Sequence, residues 1–347
     1  MKLEDFHYDL PESRIAQRPL ANRGDSRLLV VDRETGRLED AQFRDFARYL
    51  KAGDVLVIND SAVIPARLIG EKVPTGAAME MLLLRHIETD IWECLLKKAK
   101  KVRVGTKLRF GNGLLEAICV AEKADGIRDM KMVHEGPFYP LLERLGEMPL
   151  PPYIHEKLEQ PERYQTVYSK HRGSSAAPTA GLHFTHTHLE ALQAAGIICV
   201  PVTLHVGLGT FRPVTVNDVT THKMHEEMYT VTAESASLIN QAKAEGRRVV
   251  AVGTTSMRTL ETAQKEGRLV AGSGMSDLFI YPGFEFQIVD ALLTNFHLPA
   301  STLLMLVSAF SSREIILDAY QHAIDQAYRF FSFGDAMFLT RLNDENL

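Results

Sequence analysis

Residues 249–261 read VVAVGTTSMRTLE. Four small apolar residues, mostly β-branched, form a buried-type strand that runs into Gly253. Three hydroxyl residues follow, Thr254, Thr255 and Ser256, and then a helical pattern carrying Arg258 and Glu261. A buried strand feeding a helix through a glycine is the repeating unit of an α/β protein. The free N–H groups and positive end of such a helix can cradle an anion or carboxylate; the same residues also simply cap a helix well.

On both sides the pattern continues. TAESASLINQAKAEG, with Thr232 and Gly246 as end signals, predicts the preceding helix, and IICVPVTLHV the strand before that. Thr187 and Glu190 form a capping-box pair ahead of LEALQAAG. The C-terminal SSREIILDAYQHAIDQAYRFF predicts one helix reaching Phe331, capped by Ser311 and Glu314. Near the start, RLLVVDRETGRLEDAQF predicts a hairpin, FRDFARYL a helix closed by Gly53, and DVLVIND a buried strand. After SAVIPARLIG the texture changes to short apolar stretches broken by glycine and charge, which predicts a small all-β unit, and the prolines of MPLPPYI mark its exit. The expected architecture is an α/β (α+β) main body, residues 1–68 and 152–347, interrupted by an inserted β-barrel-like domain, residues 69–151.

Bulk properties narrow the function classes. The chain has 347 residues, 45% hydrophobic and 24% charged, with a net charge of −5. That balance carries no global nucleic-acid signature, so a polyanion partner must be met by a local patch. Cys94, Cys119 and Cys199 form no CxxC pair, which argues for a reducing compartment and against a thiolate zinc site. The N-terminus is not signal-like, and no apolar run approaches the roughly 20 residues of a membrane span. A cytoplasmic protein with no membrane association and no obligate protein partner is expected.

Several constellations carry chemistry. SSAAPTAGLHFT, residues 174–185, is a neutral loop of small residues ending in His183 and Phe184. HVGLGTFRPV places His205, Gly207 and Gly209 after a strand. It lacks a third glycine, and Pro213 stands where a dinucleotide-binding helix should run, so the glycines alone read as a turn. HKMHEE sets His222 and His225 beside Glu226 and Glu227. A His–Glu pair suits proton transfer better than metal binding, because no further ligands complete a set. LLTNFHLP offers Asn295 and His297 as site lining. KKAKKVRVGTKLR holds seven basic residues and no acid. It reads as a lysine-protected edge strand or as a phosphate-tracking surface, and its place in an acidic chain favours RNA through Lys97, Lys98, Lys100, Lys101 and Arg103.

Taken together, NDSAVIPARL, APTAGLHFT, HVGLGTFRPV, AVGTTSMRTLE, LFIYPG, LLTNFHLP, STLLMLVSAF and FFSFGDAM closely resemble the S-adenosylmethionine:tRNA ribosyltransferase-isomerases of queuosine biosynthesis, essentially from end to end. The resemblance implies that S-adenosylmethionine is a co-substrate, with no true cofactor. Its ribosyl group would pass to 7-aminomethyl-7-deazaguanine at the wobble position of a tRNA with a GUN anticodon. Adenine and methionine would leave, and epoxyqueuosine would form. The chemistry implies a base beside the sulfonium and an acid for adenine departure; His225 with Glu226, His183, and Arg258 with Glu261 are the candidates. Thr179, Gly181, Phe184, His205, Gly207, Gly209, Thr254, Thr255, Ser256, Asp290, Asn295 and His297 are expected to bind substrate. Among them Phe184 would stack on adenine, and Glu226 or Asp290 would face the sulfonium. A non-catalytic RNA-binding protein and a conventional methyltransferase are the alternatives.

Overall fold

A computed structural model of the chain describes residues 1–156, 158–207 and 214–342. They divide into two compact units: residues 1–61, 152–171 and 178–347 form the first, and residues 62–151 with 172–177 the second.

The first unit is built on a nine-stranded sheet. Its order is Gly272–Ser276, Glu227–Val231, Ile198–Leu204, Val55–Asn59, Val249–Val252, Ala291–Asn295, Ala336–Thr340, Arg27–Asp32 and Leu38–Gln42. The four strands from Ile198–Leu204 to Ala291–Asn295 are mutually parallel, so their carboxyl ends lie along one edge. Alternate side chains feed two cores. Val55, Val57, Val249, Ala251 and Leu292 face one side, with residues of helices Ala233–Ala244, Gly253–Ala263, Thr302–Phe310 and Arg313–Asp325. Leu56, Ile58, Val250, Val252 and Leu293 face the other, with Phe43, Phe46, Phe184 and Leu192. Coverage of both faces explains why these strands read as unbroken apolar runs rather than alternating ones. Each such buried side chain contributes about 1.5–3 kcal/mol.

The second unit holds a seven-stranded antiparallel sheet in the order Gly146–Glu147, Arg67–Val73, Ala77–Glu88, Ile91–Leu96, Ile127–His134, Leu115–Glu122 and Lys107–Phe110. Lys107–Phe110 pairs back to Arg67–Val73, which closes the six longer strands into a barrel. Inward residues such as Met81, Leu83, Cys94, Leu108, Ala117 and Met130 fill it. An α/β body with a barrel-like β unit is therefore the architecture, as the sequence texture implied. Helix Phe138–Leu145 packs on this core through Leu142 and was not expected.

Local details differ from expectation. FRDFARYL forms a 3₁₀ helix, Phe43–Tyr49. Thr185, not Thr187, caps helix His186–Ala194. Ser312, not Ser311, caps the last helix, which ends at Asp325. Ala327 and Phe331 then adopt left-handed backbone, and that turns the aromatic tail into the core instead of prolonging the helix.

Candidate active site at the carboxyl edge of the parallel strands

Open α/β sheets place ligand sites outside the carboxyl ends of their strands, and here that edge gathers an unusual set of side chains. Between Val252 and its helix the chain must reverse sharply. Gly253 does so at φ +84°, a conformation that strains any residue with a Cβ. In the first turn Ser256 Oγ bonds back to Val252 O at 2.8 Å, so it caps the strand end rather than offering itself outward. Thr255 Oγ1 is buried without a partner.

One turn along the same helix, Arg258 is buried and donates through Nη1 to Glu227 Oε2. Its Nε donates to Leu278 O at 3.2 Å, while Nη2 is buried and unpartnered. Glu227 Oε1 accepts from Gly207 N at 2.9 Å. The carboxylate that matters to Arg258 is therefore Glu227, not Glu261. Glu261 instead accepts the backbone N–H groups of Gln287, Ile288 and Val289 at 3.0–3.1 Å. Burial raises its pKa against those three bonds, and it holds a loop. His225 and Glu226, the expected proton-transfer pair, are exposed. At the loop-to-strand transition only the next residue, Glu227, turns inward.

A second group surrounds Asp60, just past the Val55–Asn59 strand. Asn59 ties two strand ends together by bonding both Leu204 O and Leu204 N at 3.0 Å. Asp60 is buried and accepts from Thr203 Oγ1 at 2.6 Å, and His171 Nε2 stands 3.5 Å from its other oxygen. His205 Nδ1 is buried without a partner, and burial, then repulsion by His171, lowers the His205 pKa. Asp60 and His171 lie 111 residues apart in the chain, and no local motif announced them.

The third group is the 3₁₀ turn Thr179–His183, packed against strand Ala291–Asn295 and the start of helix Gly253–Ala263. A Cβ on Gly181 would sit 2.0 Å from Tyr168 Oη, so only glycine admits that close approach. Tyr168 Oη and Thr166 Oγ1 are both buried without a partner. Thr179 Oγ1 donates to Asn295 Oδ1 at 3.0 Å. Asn295 Nδ2 faces the carbonyls of Phe331 and Asp335, which fixes the amide orientation, and it also donates to His183 Nε2 at 3.1 Å. The neutral His183 ring therefore carries its proton on Nδ1 and donates it to Ser26 Oγ at 2.7 Å. Burial, then repulsion by Arg23 and Arg329, pushes its pKa down to about 3. With both nitrogens engaged, His183 positions Asn295 and the turn, and it is not free to shuttle protons as expected.

Four other expectations need correction or limits. Phe184 is fully buried, edge-on to Phe43 at 5.0 Å, and cannot stack on a ligand. Asp290 bonds Lys243 Nζ and Val249 N at the opposite end of the parallel strands, so it cannot face a sulfonium at this edge. His297 is a core histidine bonded to Thr294 Oγ1 at 2.9 Å, with its pKa pushed down to about 3 by burial. Gly209 lies outside the described residues. Thr254 and Gly207 do lie at the edge, the latter by its bond to Glu227.

In the barrel, Lys97 pairs with Glu80 and Arg103 with Glu122. Lys98, Lys100 and Lys101 line an open depression of about 530 Å³, under which buried Arg128 donates to the carbonyls of Ala99 and Val102. Among the described residues no group of three or more His, Cys, Asp or Glu could hold a metal ion, and no helix is long and apolar enough to cross a membrane.

A mixed α/β sheet whose four central strands are parallel, with buried polar groups along their carboxyl edge that have no partner among the described residues, is the arrangement in which proteins of the open-sheet class carry their ligand sites. The family comparison is more specific. Residues 3–339 match the model of the queuosine biosynthesis protein family. An S-adenosylmethionine:tRNA ribosyltransferase-isomerase of Staphylococcus haemolyticus is 57% identical over 98% of this chain and all of its own; one of Staphylococcus aureus is 56% identical over the same shares. A solved S-adenosylmethionine tRNA ribosyltransferase from Thermotoga maritima is 39% identical, with TM-score 0.56, over 96% of this chain and 99% of its own. The chain belongs to the queuosine biosynthesis protein family.

Proposed function

We propose that the chain is an S-adenosylmethionine:tRNA ribosyltransferase-isomerase that acts on tRNA, with S-adenosylmethionine as ribosyl donor. The observation that carries this reading is identity of 56–57% running through 98% of the chain and the whole of each relative. The finer statement is that the acceptor is 7-aminomethyl-7-deazaguanine at the wobble position of a GUN-anticodon tRNA, giving adenine, methionine and epoxyqueuosine. No true cofactor takes part, and the protein works in the cytoplasm. Residues 1–68 with 152–347 act as the catalytic body, and residues 69–151 as an inserted barrel.

The carboxyl edge supports a division of labour. Buried polar groups in native proteins nearly always find partners, so Thr255 Oγ1, Arg258 Nη2, His205 Nδ1, Tyr168 Oη and Thr166 Oγ1 suit a polar ligand lying along the edge. Arg258, held by Glu227, suits the methionine carboxylate. Asp60 suits the sulfonium. A C–H beside a sulfonium is acidic because the carbanion is stabilised by the adjacent positive sulfur. His171 or His205, oriented by Asp60, would take that proton. Gly181 lets backbone approach the flat adenine.

The test is to incubate the protein with S-adenosylmethionine and tRNA bearing the 7-aminomethyl base, then analyse the small molecules. Adenine and methionine should appear in step with tRNA modification. Release of S-adenosylhomocysteine would instead mean methyl transfer, and binding without turnover would mean a non-catalytic RNA-binding protein.

A further inference from the structure

A second cluster, behind the Thr179–His183 turn, has no part in the reaction described above. Arg23, Arg163 and, close by, Arg329 come from three distant stretches of the first unit, and among the described residues none has a carboxylate within ion-pair distance. Their partners are backbone carbonyls. Arg23 bonds Leu182 O and Gln165 O, Arg163 bonds Ala21 O and Leu20 O, and Arg329 bonds Arg18 O. Arg163 Nε and Arg329 Nη1 are buried and unpartnered. Asp335 accepts the backbone N–H groups of Arg27 and Arg329 and its charge balances that of Arg329, so the pair left with carbonyl partners alone is Arg23 and Arg163. Burial, then repulsion by Arg163, lowers the pKa of Arg23, which is what an uncompensated guanidinium pair produces.

Carbonyls satisfy hydrogen bonds but leave net positive charge, and a half-buried group of like charges is costly unless an anion neutralises it. Arg23 and Arg163 line a recess of about 30 Å³ with Ser26, His183 and Gly334. A water-sized group needs about 10–15 Å³ by this measure, so the recess admits an oxygen or two and no nucleobase. Planar guanidinium forks match phosphate oxygens. The recess also has a defined place, because Arg23 grips Leu182 O while the next residue, His183, bonds Asn295 at the catalytic edge.

We propose that Arg23 and Arg163 form an anion site for a backbone phosphate of the RNA substrate, next to the nucleotide being modified. It is separate from the lysines of the barrel and rests on the reading that the substrate is tRNA. The site makes the α/β body itself an RNA-gripping surface, which fixes the register of the target nucleotide while carrying no sequence information.

The experiment is equilibrium binding of unmodified tRNA to the full chain between 50 and 200 mM salt. Wild type is compared with Arg163→Gln, Arg23→Gln and the charge-preserving Arg163→Lys, with S-adenosylmethionine KM measured in parallel. Each lost contact to single-stranded phosphate lowers the slope of log affinity against log salt by about 0.7. Both Gln variants should show that loss with S-adenosylmethionine KM unchanged, and Arg163→Lys should keep the wild-type slope. Unchanged slopes in both folded Gln variants overturn the proposal. Unchanged slopes together with loss of stabilisation by inorganic phosphate assign the recess to a free anion and overturn it equally. Failure of the functional reading looks different: the wild type then has no tRNA affinity, and the proposal falls with it.

Discussion

Glu227→Gln should unmask the charge held by the buried pair. Both side chains are only 3% exposed. Gln keeps the shape of Glu and still presents an oxygen to Gly207 N–H, so backbone geometry is preserved. What disappears is the charge that compensates Arg258 together with the acceptor for its Nη1. Two unit charges 4 Å apart at an effective dielectric of 20 interact by about 4 kcal/mol, and breaking buried pairs on one side typically costs about 3–5 kcal/mol. Only the bond to Gly207 is retained, because the Gln NH2 now faces the Arg258 Nη1 donor, and this places the expected loss at about 4 kcal/mol. For a body of this size that is a fall in Tm of roughly 8–16 °C. Thermal and denaturant unfolding of Glu227→Gln and of the double variant Glu227→Gln/Arg258→Met form the assay. The double variant removes both charges and should return to within about 1 kcal/mol of wild type, while its turnover stays low because Nη2 has gone. A single variant within about 1 kcal/mol of wild type, or a double variant as unstable as the single, would refute the argument.

His183 and His297 have folded pKa values pushed to about 3, below the ordinary value of 6.5. The unfolded chain therefore binds protons first, and stability present above pH 6.5 is lost as pH falls towards 3. The slope approaches about 1.4 kcal/mol per pH unit for each ring, and His297→Gln should flatten it in urea titrations between pH 4.5 and 6.5. Phe184→Leu should cost about 1–2 kcal/mol and leave S-adenosylmethionine KM unchanged, since the ring meets Phe43 and Phe46 and no ligand. A raised KM without instability would restore Phe184 to the binding site. Lys100→Gln/Lys101→Gln should lower the salt slope of tRNA binding by about 1.4, whereas Lys97→Gln, whose charge is matched by Glu80, should change it little.

The fold was readable because its signals are local. An apolar run into Gly253 and a hydroxyl-rich helix start specify a strand, a sharp turn and a helix within 13 residues. The barrel showed itself by the change in spacing after Gly70. Site geometry is encoded differently. Glu226 and Glu227 are indistinguishable as letters, and only the strand's inward phase at Glu227 selects one of them. Phe184 looked like ligand lining because its neighbours are small and polar, yet the turn before it rotates the ring into the core. Asp60 and His171, or Arg23 and Arg163, become groups only when strand ends and loops distant in sequence converge. No periodicity reports such convergence.

The strand Ala336–Thr340 sits between Ala291–Asn295 and Arg27–Asp32, and among the described residues Arg27–Asp32 pairs with it and with its own hairpin partner alone. Leu28 therefore meets its neighbour Ala336 only when synthesis is nearly complete. At about 5–20 residues per second the emerging hairpin waits roughly 15–60 s with an unpaired edge. During that interval the aliphatic run of Leu28–Val31 is a candidate for chaperone capture or for pairing with another nascent copy. Loss of the strand Ala336–Thr340 would strip Arg27–Asp32 of its link to the rest of the sheet, so stop codons ahead of Ala336 should yield insoluble product rather than a trimmed enzyme.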